Sequence, residues 1–187
     1  MPGGNFEDLG HLTNNGWQHQ SAGGQSIRTT VQLHQDAVVD GRRGLLLAAQ
    51  PDGGLAPKQI ESAPVWIVSG PVEVPANQLV RINGFVKIDA PITASNDGLV
   101  IQESLGGEEM AQRFLATTGW QPFTIYRATN EPHTLRLNIA LSGYGTAYVD
   151  EVTVQFAPLP TPGNVPPNGT TENLQSAQQP EPARLPN

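Results

Sequence analysis

The chain has 187 residues, 20 Gly, 17 Pro and no Cys, with 14% charged residues and a formal net charge of −7. That length fits one domain, with or without a tail, and Gly plus Pro near about a fifth of the chain, against roughly 12% on average, fits a turn-rich fold. The missing Cys excludes disulfide scaffolds, thiol nucleophiles and thiolate zinc sites, the acidic balance excludes a general phosphate-backbone binder, and no apolar run approaches the roughly 20 residues of a membrane span.

Apolar residues repeat with period 2 along most of the chain, which predicts strands rather than helices. Strands are expected over 27–33, 44–49 and 65–74. The next, over 79–89, buries Val80, Ile82, Val86 and Ile88 and leaves Arg81, Asn83, Phe85 and Lys87 on the other face. Strands over 99–105 and 113–117 follow, with Gln102 facing outward. The strand over 123–128 takes Phe123 and Ile125 inward and puts Thr124 and Tyr126 outward. Leu135, Leu137, Ile139 and Leu141 alternate with Arg136, Asn138 and Ala140, and Val152, Val154 and Phe156 mark the last strand. Turns are predicted at Asn14-Asn15-Gly16, Asp40-Gly41, Asn96-Asp97-Gly98, Gly106-Gly107 and Ser142-Gly143-Tyr144-Gly145. Short helical turns fit only 58–63 and 108–112. Eight to ten such strands define an all-β antiparallel β-sandwich or barrel spanning residues 4–157.

Residues 158–187 hold eight Pro, three charges and no aromatic residue. Such a stretch buries too little apolar surface to offset its ordering entropy, so it reads as a disordered Pro-rich tail or linker. A proline-recognition ligand is the alternative.

Catalytic patterns are missing. A glycosidase needs two carboxylates about 5–9 Å apart across a cleft, and Glu103, the one acid inside an apolar strand, has no second acid on a predictable shared face. There is no Gly-x-Ser-x-Gly elbow and no phosphate loop, and His11, His19, His34 and His133 lack metal-ligand spacing. The expectation is a protein that is not an enzyme.

The order of several weak motifs carries a resemblance. Asn5-Phe6-Glu7 opens the chain, Gly16-Trp17 follows, then a Gly before the apolar strand 41–48, Arg81-Ile82-Asn83-Gly84-Phe85-Val86-Lys87, Gly119-Trp120-Gln121-Pro122-Phe123, and finally Tyr148-Val149-Asp150-Glu151-Val152. This series resembles the galactose-binding-like jelly-roll domains, in particular the carbohydrate-binding modules of bacterial glycoside hydrolases and surface proteins. The resemblance covers residues 4–156 and implies two packed antiparallel sheets. It also implies a structural calcium ion held by Glu7, Asp150 and the loop around Asp40 and Gly41. The other reading makes Glu7 and Asp150 ordinary carboxylates paired to Arg42 or Arg43. Trp17 and Trp120 match positions that pack in or beside the core.

Sugar recognition needs aromatic faces and planar polar groups. The expected binding face gathers Phe85 with Arg81, Asn83, Lys87, Tyr126, Arg136 and Asn138, because alternation leaves all of them off the core. Alternatively Arg81 and Arg136 pair with cross-strand acids, and a loop from 50–64 covers Phe85. Trp66 lies in Val65-Trp66-Ile67-Val68, apolar on both parities. If it projects from the sheet it is the best stacking residue. Two functions follow. One is a non-catalytic carbohydrate-binding module that tethers a larger extracellular or surface protein to a polysaccharide, with neighbouring domains in a longer chain and no nucleic-acid partner. The other is a structural or protein-interaction jelly roll without sugar binding.

Overall fold

The computed structural model describes residues 1–22, 26–53 and 56–159. The elements run in chain order as helix α1 (Leu9–Asn14), β1 (Gln18–Ser21), β2 (Ile27–His34), β3 (Gly44–Pro51), β4 (Val65–Val68), β5 (Val72–Val74) and β6 (Gln78–Lys87). Then come β7 (Thr93–Glu103), a 3₁₀ turn (Glu108–Met110), β8 (Gln112–Phe114), β9 (Gln121–Thr129), β10 (His133–Leu135) and β11 (Leu137–Pro158). The expected tail lies, from residue 160 onward, outside the described residues.

One strand organises the rest. The first part of β11 pairs with β4 on one side and β7 on the other, giving sheet A in the order β1-β4-β11-β7-β8. Its second part pairs with β3 and β6, giving sheet B in the order β2-β3-β11-β6-β9. All of these pairings are antiparallel. A short ladder joins β5 to β10. The expected all-β jelly-roll sandwich is therefore the fold.

The expected turn at Ser142-Gly143-Tyr144-Gly145 is instead continuous strand, and this is where β11 passes from one sheet to the other. Its register with β7 shifts between Ser142 and Tyr144. Gly143 has φ +116° and Gly145 φ +152°, and a Cβ at either would lie 2.5 Å from Ile92 side-chain atoms. Only glycine makes this corner without displacing the core. Asn96-Asp97-Gly98 likewise lies inside β7, with Gly98 at φ +67°. The single strand expected over 65–74 is broken into β4 and β5 at Ser69-Gly70-Pro71, and no helical turn forms over 58–63.

The core fills the space between the sheets. Val80, Ile82 and Val86 from β6, Phe123 and Ile125 from β9, and Leu137, Ile139 and Leu141 from β11 are all buried, as their alternation predicts. The N-terminal segment completes it. Residues 5–7 form no strand. Phe6 takes a left-handed backbone (φ +49°), is fully buried, and meets Trp17 edge to face at 5.2 Å. Trp17 Nε1 donates to the Pro2 carbonyl and the Val152 amide donates to the Gly4 carbonyl. The folded part thus begins before residue 4. At the other end Pro158 still pairs with Gln78.

Candidate functional site

Parity divides the residues off the core between two different surfaces. On β6 and β9 the side chains facing away from the core belong to the outer face of sheet B. Arg81, Asn83, Phe85, Lys87 and Tyr126 all lie there, as expected, and Phe85 is half-buried. Asn138 belongs to the part of β11 that pairs with β4 and β7, so it faces outward from sheet A. Arg136 precedes β11 at the end of that sheet, with Nη1 donating to the Ser69 carbonyl at 3.2 Å. The expected single face uniting Phe85 with Arg136 and Asn138 is therefore corrected. The two groups sit on opposite sides of the sandwich because alternation reports distance from the core, not which sheet a strand joins.

The outer face of sheet B is satisfied from within. Arg81 Nε donates to Asn83 Oδ1 at 2.8 Å, Thr124 Oγ1 donates to the same oxygen at 3.0 Å, and the Arg81 guanidinium lies 6.0 Å from the Tyr126 ring. Lys87 Nζ sits 4.6 Å from the Tyr148 ring centre and 5.8 Å from that of Trp120, and 3.4 Å from Asp89 Oδ2. Trp120 packs beside this lysine, half-buried and outside the main core.

The outer face of sheet A is built differently. Register places Gln20, Trp66, Ala140, Val100 and Arg113 in one row across the five strands. A second row holds Gln18, Val68, Asn138 and Gln102. Trp66 projects outward and is half-buried, which resolves the orientation its apolar neighbours left open. The middle of the floor is small: Ala140 and Ser142 are buried, and Gly98 pairs with Ser142. Large side chains at the edges and small ones in the middle leave a groove. It consists of a hollow of about 260 Å³ against Trp66, Ser62, Ala63, Asn138 and Ala140. A second of about 230 Å³ shares Ser62, Ala63, Asn138 and Ala140 and runs on to Gln102, Glu108 and Arg113. The 57–64 segment walls one side, held by the Ile60 amide on the Ala94 carbonyl at 2.7 Å and by Tyr144 Oη on the Pro57 carbonyl at 2.8 Å. Beyond this wall a larger cleft of about 460 Å³ is lined by Ile27, Thr29, Gln59 and Glu61 but by no aromatic ring.

Asn138 Oδ1 is the distinctive atom of the floor. It is buried and has no hydrogen-bond partner among the described residues. A buried acceptor left unpaired costs about 1–3 kcal/mol.

The acids expected to hold calcium do converge. The backbone amides of Arg42 and Arg43 donate to Glu7 Oε1 at 2.7 and 3.2 Å. Those of Val39 and Asp40 donate to Asp150 Oδ2 at 2.8 and 3.4 Å, and that of Glu151 to Oδ1 at 2.8 Å. The 39–43 loop thus bridges two carboxylates from distant parts of the chain. Gly41 is packed so closely that a Cβ would overlap the Glu7 carboxylate. The Arg42 amide holds Glu7 below the usual glutamate range. Burial pushes Asp150 above the usual aspartate range, against the three amides that pull it down. Burial also raises Glu151, reinforced by Asp150, Asp40 and Glu7. The side chains are hard oxygen donors of the class calcium takes, though no group of three or more acidic or His ligands exists among the described residues.

Glu103 has a structural role. It is fully buried, bonded to Arg127 Nε at 2.5 Å and to the Leu105 and Gly106 amides at 2.6 and 3.0 Å. This pair ties β7 of sheet A to β9 of sheet B.

No known family's sequence pattern matches the chain, and no curated protein is similar to it. Solved structures are similar in fold. A CBM4 carbohydrate-binding module, 18% identical, covers 83% of this chain and 98% of its own, with a TM-score of 0.57. TmCBM61, solved with β-1,4-galactotriose, is 11% identical and covers 84% of this chain and 97% of its own, at 0.53. The enzymatically active domain of tailspike protein 4 from bacteriophage CBA120 is 8% identical, with 84% of this chain matching 21% of that one, at 0.53. At these identities the likeness is one of fold. What the likeness shows is a β-sandwich fold shared with these carbohydrate-binding modules and with part of the tailspike domain. Among the described residues no helix is long and apolar enough to cross a membrane.

Proposed function

We propose that this domain binds a polysaccharide or glycan chain, without cleaving it, in the groove on the outer face of sheet A. The observation that carries the reading is the Trp66 ring at one end of a floor whose Asn138 Oδ1 lacks a partner. An indole face packs against sugar C–H groups, and an unpaired amide beside it supplies the hydroxyl contact. Fold likeness to carbohydrate-binding modules supports the same direction. Binding without cleavage is supported by the same fold likeness; of the acids near the groove, Asp97 is engaged by Arg113. The low charge and the Pro-rich segment after residue 158 support a module of a larger exported protein. The binding constant expected for one stacked ring with a few polar contacts is about 10–100 μM, or roughly −5.5 to −7 kcal/mol.

Affinity electrophoresis of the 187-residue protein through gels containing mixed-linkage β-glucan, xylan or galactan tests this. Retardation in at least one gel, abolished by Trp66→Ala and without release of reducing ends, is the expected result. Unretarded migration in all of them overturns it and leaves the structural jelly roll.

A bound calcium ion is a second proposal, favoured by the convergence of Glu7 and Asp150 on one loop. Glu7, Asp150 and the loop at Asp40 and Gly41 would hold it, and its charge would offset the burial, and the repulsion added to it, that raise Asp150 and Glu151. Calcium at a hundred times its dissociation constant would add about 2.7 kcal/mol of stability. Identical melting curves in calcium and in chelator refute this.

A further inference from the structure

Resting on the proposal that sheet A holds the sugar, the charges around the groove say which sugars. Three acids line it: Glu61 from the 57–64 wall, Asp97 from β7 and Glu108 from the 3₁₀ turn. The one cation among these lining residues is Arg113, and each of its guanidinium nitrogens makes a hydrogen bond. Nε donates to Asp97 Oδ1 at 2.9 Å, Nη1 to the Ala111 carbonyl at 3.3 Å and Nη2 to the Glu108 carbonyl at 3.2 Å. Asp97 is thereby neutralised. Glu61 and Glu108 make no ion pair among the described residues. The groove therefore offers uncompensated negative charge, in a chain whose net charge is −7.

A ligand fitting such a surface must donate. Hydroxyl groups do so at no electrostatic cost. A carboxylate or sulfate on the glycan would lie between two like charges, within the screening length of about 8–10 Å at ordinary salt. Like-charge juxtaposition of this kind rejects a partner more effectively than an extra contact selects one. We infer that the groove selects by charge, taking neutral hydroxyl-rich glycans and rejecting those that bear carboxylate or sulfate groups, with Glu61 and Glu108 as the discriminating residues.

The test compares matched polymers. Mixed-linkage β-glucan, xylan and galactan are each offered to the full-length protein in native and in carboxymethylated form, at 20 mM and at 500 mM salt. Expected is at least about tenfold weaker retention by the carboxymethylated form of whichever polymer binds, narrowing to below about threefold at high salt. In the double variant Glu61→Gln/Glu108→Gln the native-to-carboxymethylated ratio should fall below about threefold even at low salt. Equal retention of the two forms by the wild type, or a ratio unmoved by the double variant, overturns charge selection and leaves sugar binding intact. Retention of no polymer in either form overturns both readings together.

Discussion

The two outer faces of this sandwich carry similar residue types and use them in opposite ways. On sheet B the polar groups consume one another: Asn83 accepts from Arg81 and Thr124, and Lys87 fills the space between Tyr148 and Trp120. On sheet A, Ala140 and Ser142 leave a floor open, Trp66 stands over it, and Asn138 keeps an acceptor without a donor. A surface that has already satisfied its hydrogen bonds gains little from a ligand. One that has left an acceptor buried and unpaired recovers that cost on binding. Aromatic and amide content alone does not mark a site; what matters is what the neighbouring strands leave unfilled.

The most damaging change should be one that separates the faces themselves. Glu103→Gln leaves Arg127 with a buried charge and no carboxylate, and breaking a buried pair from one side costs about 3–5 kcal/mol. Chemical denaturation would measure it, and a loss under about 1 kcal/mol would mean that the link between β7 and β9 is not an energetic one. Trp66→Ala comes next, with an expected loss of at least about tenfold in affinity, about 1.4 kcal/mol, read by calorimetry with the polymer that binds best. Asn138→Ala should weaken binding by about three- to tenfold while leaving the melting temperature unchanged or slightly raised, since it deletes an unpaired acceptor. Smallest of all, Tyr126→Ala and Phe85→Ala should stay within about twofold of wild-type affinity, because their face points away from the groove. A reversal, with Phe85→Ala abolishing binding and Trp66→Ala silent, would move the site to sheet B.

Much of this was legible from alternation. The burial of Val80, Ile82 and Val86 against the exposure of Arg81, and of Leu137 and Ile139 against Asn138, follows from period 2 alone. The sheet to which each strand belongs did not follow. Gly143 and Gly145 look like a turn because glycine pairs usually make one, yet here they let a strand bend between sheets under Ile92. Trp66 was undecidable for a different reason: with Val65, Ile67 and Val68 around it, no polar residue marks the outward parity. The helix Leu9–Asn14 has no signature in the sequence because it buries only Leu12, too little for a helical period to show. Phe6 reaches the core through a left-handed backbone, which no apolar pattern encodes.

The placement of β11 has a consequence for how the two sheets form. It is the last strand among the described residues, and it is the centre of both sheets. Without residues 137–158, the pairings left in sheet A are the separate pairs β1-β4 and β7-β8, and those left in sheet B are β2-β3 and β6-β9. Each pair presents an open edge and an uncovered apolar face, and isolated two-stranded ribbons are marginal in water. Both sheets therefore take their central strand from one segment, so the completion of one is coupled to that of the other.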